Sequence, residues 1–222
     1  MFRKIESFEY DFQGDVFVDI GGNVGMWTNI IYNDYKKIIF IEPSLTAIEK
    51  AKTTVNDINS KVQWCRKICS DIADQKKSIY TPNEDTGMFT IYGKELYKEN
   101  DIINSENDIE TVTLDSFISE AKEGDKVFVK IDTEGADLDV ILGGQEFIKK
   151  FKPTLAIEFH FHMHFDDEKY EKVVNFMNDL GYQVSEFKFS GYISEPDRLF
   201  DGKHNGEEMY DMHYHVLAEP TQ

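Results

Sequence analysis

Three acidic residues mark the ends of three apolar runs in the first third of the sequence. Asp19 lies in Val16-Phe17-Val18-Asp19-Ile20, Glu42 follows Ile38-Ile39-Phe40-Ile41, and Asp71 follows the run from Val62 to Ile68. The first run leads directly into a glycine-rich turn, Gly21-Gly22-Asn23-Val24-Gly25. Such unbroken apolar runs read as strands buried on both faces. In an open α/β sheet, ligands bind beyond the carboxyl ends of the strands, and glycine lets backbone approach them closely. The spacing Asp19-x-Gly21-x-Asn23-x-Gly25 is not the G-x-G-x-x-G of a dinucleotide turn. A carboxylate at position 19 would repel a pyrophosphate, but it would hold an amino group or sit near a sulfonium. The turn therefore favours a ligand with positive charge and without phosphate.

Glu42 stands about 20 residues beyond the turn, where a carboxylate accepts both hydroxyls of a ribose. Asp71 can accept from an adenine amino group, with Ile72 available to pack on the ring. Ribose, adenine and a cationic amino-acid tail together describe S-adenosylmethionine. The expected donor site is thus Asp19, Gly21, Gly22, Asn23, Gly25, Glu42, Asp71 and Ile72.

A second group of reactive side chains falls at the ends of later runs: Lys130, Asp132, Glu134, Glu158 and His160. A methyl group on a sulfonium is already activated, so the protein has to align the acceptor oxygen and take its proton. A sugar hydroxyl is weakly acidic and needs a general base or a metal. The base is expected among Asp132, Glu134 and His160, and histidine titrates near neutrality. Lys130 either holds an oxygen of donor or acceptor or pairs with a neighbouring acid. The run Glu158-Phe159-His160-Phe161-His162-Met163-His164-Phe165 alternates strictly, which on a continued strand puts Glu158, His160, His162 and His164 on one face. His213 and His215 alternate in the same way. A divalent metal held by Asp132, Glu158 and His160 is a second reading. Carboxylates with open water positions would suit Mg²⁺ or Mn²⁺, and several histidines Zn²⁺ or Fe²⁺. Asp166-Asp167 reads as a helix start.

The elements that must position these groups alternate between short apolar runs and helical patterns, as a parallel sheet with crossover helices does. Helices are expected over Met26–Asn33, from Leu45 to about Ile58 with Ser44 as N-cap, over Asp137–Phe151 weakened at Gly143-Gly144, and over Asp167–Leu180. Strands are expected at Val127–Asp132 and Leu155–Phe159. Tyr182–Phe189 and Met212–Leu217, joined without a helix, read as an antiparallel hairpin at one sheet edge. The segment from about 75 to 108 is polar and reads as an irregular, mobile excursion with a hairpin. Its Tyr80, Phe89, Tyr92 and Tyr97 serve either as edge-of-core packing or as a sugar-stacking surface. Trp27 packs the first helix or walls the donor pocket.

The chain resembles the FkbM-type family of S-adenosylmethionine-dependent methyltransferases. The resemblance is carried by Val18-Asp19-Ile20-Gly21-Gly22-Asn23-Val24-Gly25, Ile41-Glu42-Pro43, Ser70-Asp71 and Val112-Thr113-Leu114-Asp115-Ser116-Phe117. It continues in Val129-Lys130-Ile131-Asp132-Thr133-Glu134-Gly135, Val140-Ile141-Leu142-Gly143-Gly144 and Pro153-Thr154-Leu155-Ala156-Ile157-Glu158, so it spans about residues 15 to 160. It implies an α/β Rossmann-like class I methyltransferase fold: a seven-stranded, mostly parallel sheet with an antiparallel last strand and helices on both faces. It also implies methyl transfer to oxygen, commonly a hydroxyl of a sugar or natural product. The excursion and the histidine-rich stretch depart from the family pattern, where an acceptor would be chosen. A metal-assisted enzyme acting on a small-molecule natural product and a non-catalytic binding module are the rivals.

Composition bounds the partners. The 222 residues carry 24 basic and 42 acidic side chains, a formal net charge of −18. That charge opposes both nucleic-acid phosphates and an anionic membrane surface, leaving a small-molecule or glycan acceptor. With only two cysteines, Cys65 and Cys69, no disulfide framework is expected, and both read as buried thiols. No apolar run approaches the roughly 20 residues of a membrane span, and the expected setting is cytoplasmic. The length suits one domain, either by itself or as part of a larger multidomain enzyme.

Overall fold

The computed structural model describes residues 3–5, 8–57, 59–81, 89–99, 102–161, 163–164, 166–189 and 213–221. Two short strands, β1 (Arg3–Ile5) and β2 (Phe8–Tyr10), pair with each other. The first long strand is β3 (Gly14–Ile20), followed by helix α1 (Met26–Ile31). Then come β4 (Tyr35–Ile41), α2 (Leu45–Val55) and β5 (Val62–Cys65). The middle of the chain holds β6 (Ile68–Cys69), β7 (Lys76–Thr81), a single helical turn α3 (Gly93–Leu96) and β8 (Asn104–Val112). The remainder is β9 (Val127–Asp132), α4 (Asp137–Leu142), α5 (Gln145–Phe151), β10 (Thr154–His160), α6 (Asp167–Asp179), β11 (Tyr182–Phe189) and β12 (His213–Pro220).

Seven strands form the main sheet in the order β11-β12-β10-β9-β3-β4-β5. Strands β5, β4, β3, β9 and β10 are mutually parallel, so their carboxyl ends share one rim. Strand β12 runs antiparallel between β10 and β11. This is the expected reversed last strand, paired on both sides. The sheet has a hydrophobic layer on each face because successive strand residues point to opposite sides. Val16, Val18 and Ile20 face α4, α5 and α6, whereas Phe17 faces α1 and α2 with Phe40 and Phe128. Trp27 belongs to this second layer, packing edge-on against Phe12 at 5.7 Å. It therefore packs a helix and does not wall a pocket.

Four expectations change. The run from Val62 to Ile68 splits: Val62–Cys65 joins the main sheet, while Ile68–Cys69 pairs with β8 in a separate three-stranded sheet, β6-β8-β7. The excursion gives Lys76–Thr81 and residues 104–108 to that sheet and Gly93–Leu96 to α3; residues 82–88, 100 and 101 lie outside the described residues. The helix expected over 137–151 is two helices. Gly143 ends the first and Gly144 starts the second, at a corner so close to Ser70 that a Cβ on Gly143 would come within 2.2 Å of the Ser70 carbonyl oxygen. The histidine run leaves the strand at His160, where the amides of Met163 and His164 turn back to the His160 carbonyl. His164 therefore leaves the strand face, and His162 lies outside the described residues. Other expectations stand: Ser44 caps α2, and Asp166 caps α6 by accepting from Lys169 N.

Glu106 on β8 fastens the small sheet to the large one. Its carboxylate accepts from Leu45 N at the first turn of α2, accepts from Ser44 Oγ at 3.0 Å and pairs with Arg66 at 2.7 Å. A carboxylate at a helix start satisfies otherwise unpaired amides. Glu106→Ala should therefore destabilise the fold by roughly 1–2 kcal/mol. Urea unfolding of the variant beside the parent protein measures this directly. An unchanged midpoint would show that the sheet is held elsewhere. No helix among the described residues is long and apolar enough to cross a membrane.

Candidate active site

Parallel strands deliver their terminal residues to one rim, and a cleft opens there. Its polar side is Gly21, Asn23, Glu42, Asp132, Thr133 and Glu134. Its apolar side comes from the sheet at Ile20 and Ile41, from β6 at Ile68 and from the excursion at Ile79, Phe89 and Ile91. Phe89 and Ile91 pack on the cluster formed by Ile68, Ile79 and Ile109. Of these, the sequence pattern singled out Phe89 alone, as edge packing or a stacking surface; Ile68, Ile79 and Ile91 reach the cleft only through the three-dimensional path of the small sheet.

Gly21 is the point where two turns touch. It has φ of +69°, and a Cβ there would lie 1.7 Å from the Asp132 carbonyl oxygen. Only glycine fits. Gly22 packs against the Phe40 ring and Gly25 against α2, so both shape the turn without lining the cleft.

Glu42 reaches into the turn. Oε2 accepts from Asn23 N at 2.9 Å and Oε1 from Ser44 N at 2.8 Å. Burial pushes its carboxyl up to about 7 despite those two donors.

Asp19 does not line the cleft. It is wholly buried beneath the turn, where Thr28 Oγ1 donates to Oδ2 at 2.6 Å and Lys130 Nζ stands 3.5 Å from Oδ1. Lys130 is opposite Asp19 in the β3–β9 register. Its ammonium donates to the Gly21 carbonyl at 2.7 Å and lies 3.1 Å from Asp132. Of the two roles expected for Lys130, the structure shows pairing with neighbouring acids.

Asp71 and Ile72 also fall outside the cleft lining. Asp71 accepts from Ser70 Oγ beside the Gly143 corner, and Ile72 is exposed. The cause is the split of the third run: Asp71 follows β6, not the main-sheet strand β5.

His160 sits in a cage of carboxylates. Nδ1 is 3.4 Å from Asp137, and Nε2 is 3.6, 3.7 and 3.8 Å from Glu158, Glu134 and Asp132. Burial opposes the charged imidazole, but Asp137, Glu134 and Asp132 outweigh it and raise its pKa to about 10. His160 is therefore an imidazolium at neutral pH. It is buried and does not line the cleft, so it is not placed as a neutral base.

Glu134 differs in position. It lines the cleft, and burial lifts its carboxyl to about 7. Its backbone is left-handed at φ of 51°, a conformation that costs a non-glycine residue roughly 1–2 kcal/mol. Burial likewise raises the Asp132 carboxyl.

The ligand atoms of Asp132, Glu158 and His160 lie within 4.8 Å of one another, a span that one metal ion could bridge. The cluster already contains two cations, the imidazolium and the Lys130 ammonium, so a metal would have to displace the His160 proton. His215 adds an imidazole nitrogen 3.6 Å from Glu158.

Asp137 was not anticipated. It is buried at the start of α4 and accepts from His160 N, Thr133 N and Thr133 Oγ1. Burial alone would raise its carboxyl, but His160 and Thr133 hold it below the usual range. An acid two residues beyond Glu-Gly is the one sequence sign of it.

A glycine turn and acidic strand ends bordering one cleft, on a doubly wound sheet with a reversed last strand, define a Rossmann-like methyltransferase fold. The sequence matches the Methyltransferase FkbM domain over residues 19–184, and the chain belongs to that family. The solved FkbM methyltransferase from Methylobacillus flagellatus KT is similar in fold, with a TM-score of 0.50 at 17% identity, over 93% of this chain and 44% of that one. This chain thus spans less than half the length of that protein. A putative methyltransferase from Streptococcus mutans, solved in complex with SAH, aligns over 94% of this chain and 90% of its own, at 10% identity and a TM-score of 0.49. A putative S-adenosylmethionine-dependent methyltransferase from Listeria monocytogenes aligns over 96% and 93%, at 10% identity and a TM-score of 0.48. No curated protein matches the sequence.

The cage has a measurable consequence. A histidine raised from 6.5 to about 10 on folding contributes stability that is fully present below pH 6.5 and is lost as pH rises through 10. NMR titration should show the His160 ring charged through pH 8. Asp137→Asn should move its titration down by at least one pH unit. A ring that titrates near 6.5 in the parent protein would contradict the cage.

Proposed function

We propose that this FkbM-family methyltransferase uses S-adenosylmethionine to methylate a hydroxyl group, on a sugar or glycan. The observation that carries the reading is the shared cleft. Glu42, fixed by two backbone amides, stands on the same wall as Gly21 and faces the carboxylates of Asp132 and Glu134. Three acids border this cleft against one lysine, Lys67, which is itself paired with Glu110 at 3.0 Å. Such a lining suits a cationic ligand and repels a phosphate.

The residues fit the cofactor. Glu42 retains lone pairs for ribose hydroxyls, the turn at Gly21 and Asn23 offers close backbone approach, and Ile68, Ile79, Phe89 and Ile91 offer an apolar wall to a flat base. Bound there, the cofactor supplies an electrophilic methyl group on a sulfonium. The protein's own part is to bind, orient and deprotonate. Glu134 accepts the proton of the acceptor hydroxyl at a carboxylate oxygen, because its pKa near 7 matches a base working at neutral pH. His160 and Asp137 position that turn and are not themselves the base. Among the described residues the cleft lining carries three acids and one lysine, which favours an uncharged, hydroxyl-rich acceptor, and the family resemblance favours a carbohydrate.

Calorimetric titration with S-adenosylmethionine tests the donor. One site with micromolar affinity is expected, and Glu42→Ala should weaken it by about 10- to 100-fold through lost charge-assisted hydrogen bonds. Unchanged affinity would remove Glu42 from the ribose. In a screen of glycosides and polyols, Glu134→Gln should cut turnover by about 10² to 10⁴ while affinity for S-adenosylhomocysteine holds. Equal turnover would move the base elsewhere. Chelator should leave both binding and turnover unchanged; a loss restored by Mg²⁺ or Mn²⁺ would favour the metal-assisted reading of the His160 cluster.

A further inference from the structure

The cleft lies between two sheets. Glu42 follows β4 of the main sheet, whereas Ile68 and Ile79 stand on β6 and β7 of the small one, and all three line the cleft. Ile68 and Ile79 share a core with Ile109 of β8, on which Phe89 and Ile91 pack. The apolar wall therefore belongs to the small sheet, and the width of the cleft is the distance from that sheet to the Glu42 carboxylate. The chain crosses between the sheets at Arg66 and Lys67. Glu106 and Glu110 share one face of β8, being four residues apart, and they grip these two in turn: Glu106 pairs with Arg66 at 2.7 Å and Glu110 with Lys67 at 3.0 Å.

Glu106 reaches both walls. Its register partner on β7 is Ile79. On the other side, Oε1 accepts from Ser44 Oγ at 3.0 Å, and both carboxylate oxygens stand 3.1 Å from Leu45 N. Ser44 is wholly buried, and its own amide donates to Glu42 Oε1 at 2.8 Å. A serine hydroxyl has one proton to give. Here the proton goes to Glu106, which leaves a lone pair to accept from Ala47 N as the cap of α2. Glu106, Ser44 and Glu42 thus connect the apolar wall to the acidic one through hydrogen bonds to a single buried residue.

We propose that Glu106 is a positioning residue for donor binding: through Ser44 and Arg66 it sets the gap between Glu42 and the wall of Ile68 and Ile79, the gap that takes the nucleoside half of the donor. This rests on the S-adenosylmethionine reading given above. Glu106 acts through its neighbours and is absent from the cleft lining. S-adenosylmethionine and S-adenosylhomocysteine share their nucleoside half and differ at sulfur. A change in the gap therefore alters the affinity for both by the same factor and leaves the preference between them untouched. Such uniform binding appears in KM and not in kcat.

The test is calorimetry of the intact protein with S-adenosylmethionine and S-adenosylhomocysteine, at a temperature where circular dichroism shows each variant folded. Glu106→Ala should weaken both ligands by about tenfold. Glu106→Gln keeps the length and one accepting oxygen, so it should recover affinity to within about threefold of the parent. Ser44→Ala removes the hydroxyl link but keeps the amide on Glu42. It should weaken both ligands as well, and combining it with Glu106→Ala should add little, because the two side chains act through one bond. Asp115→Ala is the control for a general loss of stability: Asp115 accepts from Phe147 N at 2.7 Å at the start of α5, and its loss should leave affinity unchanged. Parent-like affinity in folded Glu106→Ala, or an equal loss in Asp115→Ala, overturns the proposal and leaves the donor reading standing. If Glu106→Ala does not fold, parent-like affinity in Ser44→Ala overturns it instead. If neither ligand binds the folded parent protein, the donor reading fails and takes this proposal with it.

Discussion

A buried ammonium holds the rim of this sheet together. Lys130 has its charge beneath the glycine turn, within 3.5 Å of Asp19 and 3.1 Å of Asp132, and it donates to the Gly21 carbonyl. Removing one member of such a buried group leaves an uncompensated charge, which costs about 3–5 kcal/mol. The geometry around it is correspondingly narrow. Asp19 and Lys130 must be register partners, β3 and β9 must be neighbours, and residue 21 must lack a side chain because the Asp132 carbonyl occupies its Cβ position. The turn that borders the cleft and the strand end that carries its acids are thereby fixed as one unit.

A second buried charge extends that unit toward the end of β10. The His160 imidazolium stands among Asp132, Glu134, Asp137 and Glu158, contributed by two adjacent strand ends and the turn between β9 and α4. Asp137 binds both the ring and the backbone amide of His160, and it also binds Thr133 on the far side of Glu134. The left-handed backbone at Glu134 is held between these attachments. A strained conformation persists only when its surroundings over-determine it, and such strain concentrates at functional positions. The cage explains how one carboxylate can be lifted toward neutrality while another in the same cluster, Asp137, is held low. Distance from the imidazolium and donors from Thr133 separate them.

Much of this was legible in the sequence, for definite reasons. Parallel strands buried on both faces lack alternation, so Val16–Ile20, Ile38–Ile41 and Val127–Asp132 declare themselves, and with them the rim where Glu42, Asp132 and Glu134 sit. What failed did so where a local pattern met a tertiary constraint. Alternation through His160, His162 and His164 cannot report that the chain turns back on the His160 carbonyl. The apolar run from Val62 to Ile68 gives no sign that it changes sheets at Arg66, which displaces Asp71 from the rim. Histidine's ordinary pKa made His160 an attractive base, and only the count of carboxylates around it reverses that. Asp19 was singled out for the right turn but the wrong face: alternation along β3 sends it to the α1 side, under Thr28.

The excursion shows why its side of the cleft is harder to read than the strand ends. Its polar composition suggested an irregular segment, yet Glu106 pins its end to the first turn of α2, and Tyr92 fastens its middle. The Tyr92 hydroxyl donates to the buried Asp139 at 3.0 Å, and its ring stacks on His164 at 3.7 Å. These attachments are single side chains that meet partners 47 to 72 residues away, with no periodicity to announce them. With these attachments the segment delivers Phe89 and Ile91 to the apolar side of the cleft, and it sets Tyr97 near Glu134. The same segment thus walls one side of the cleft and approaches Glu134 on the other. A change in its path is therefore transmitted to both sides of the cleft at once.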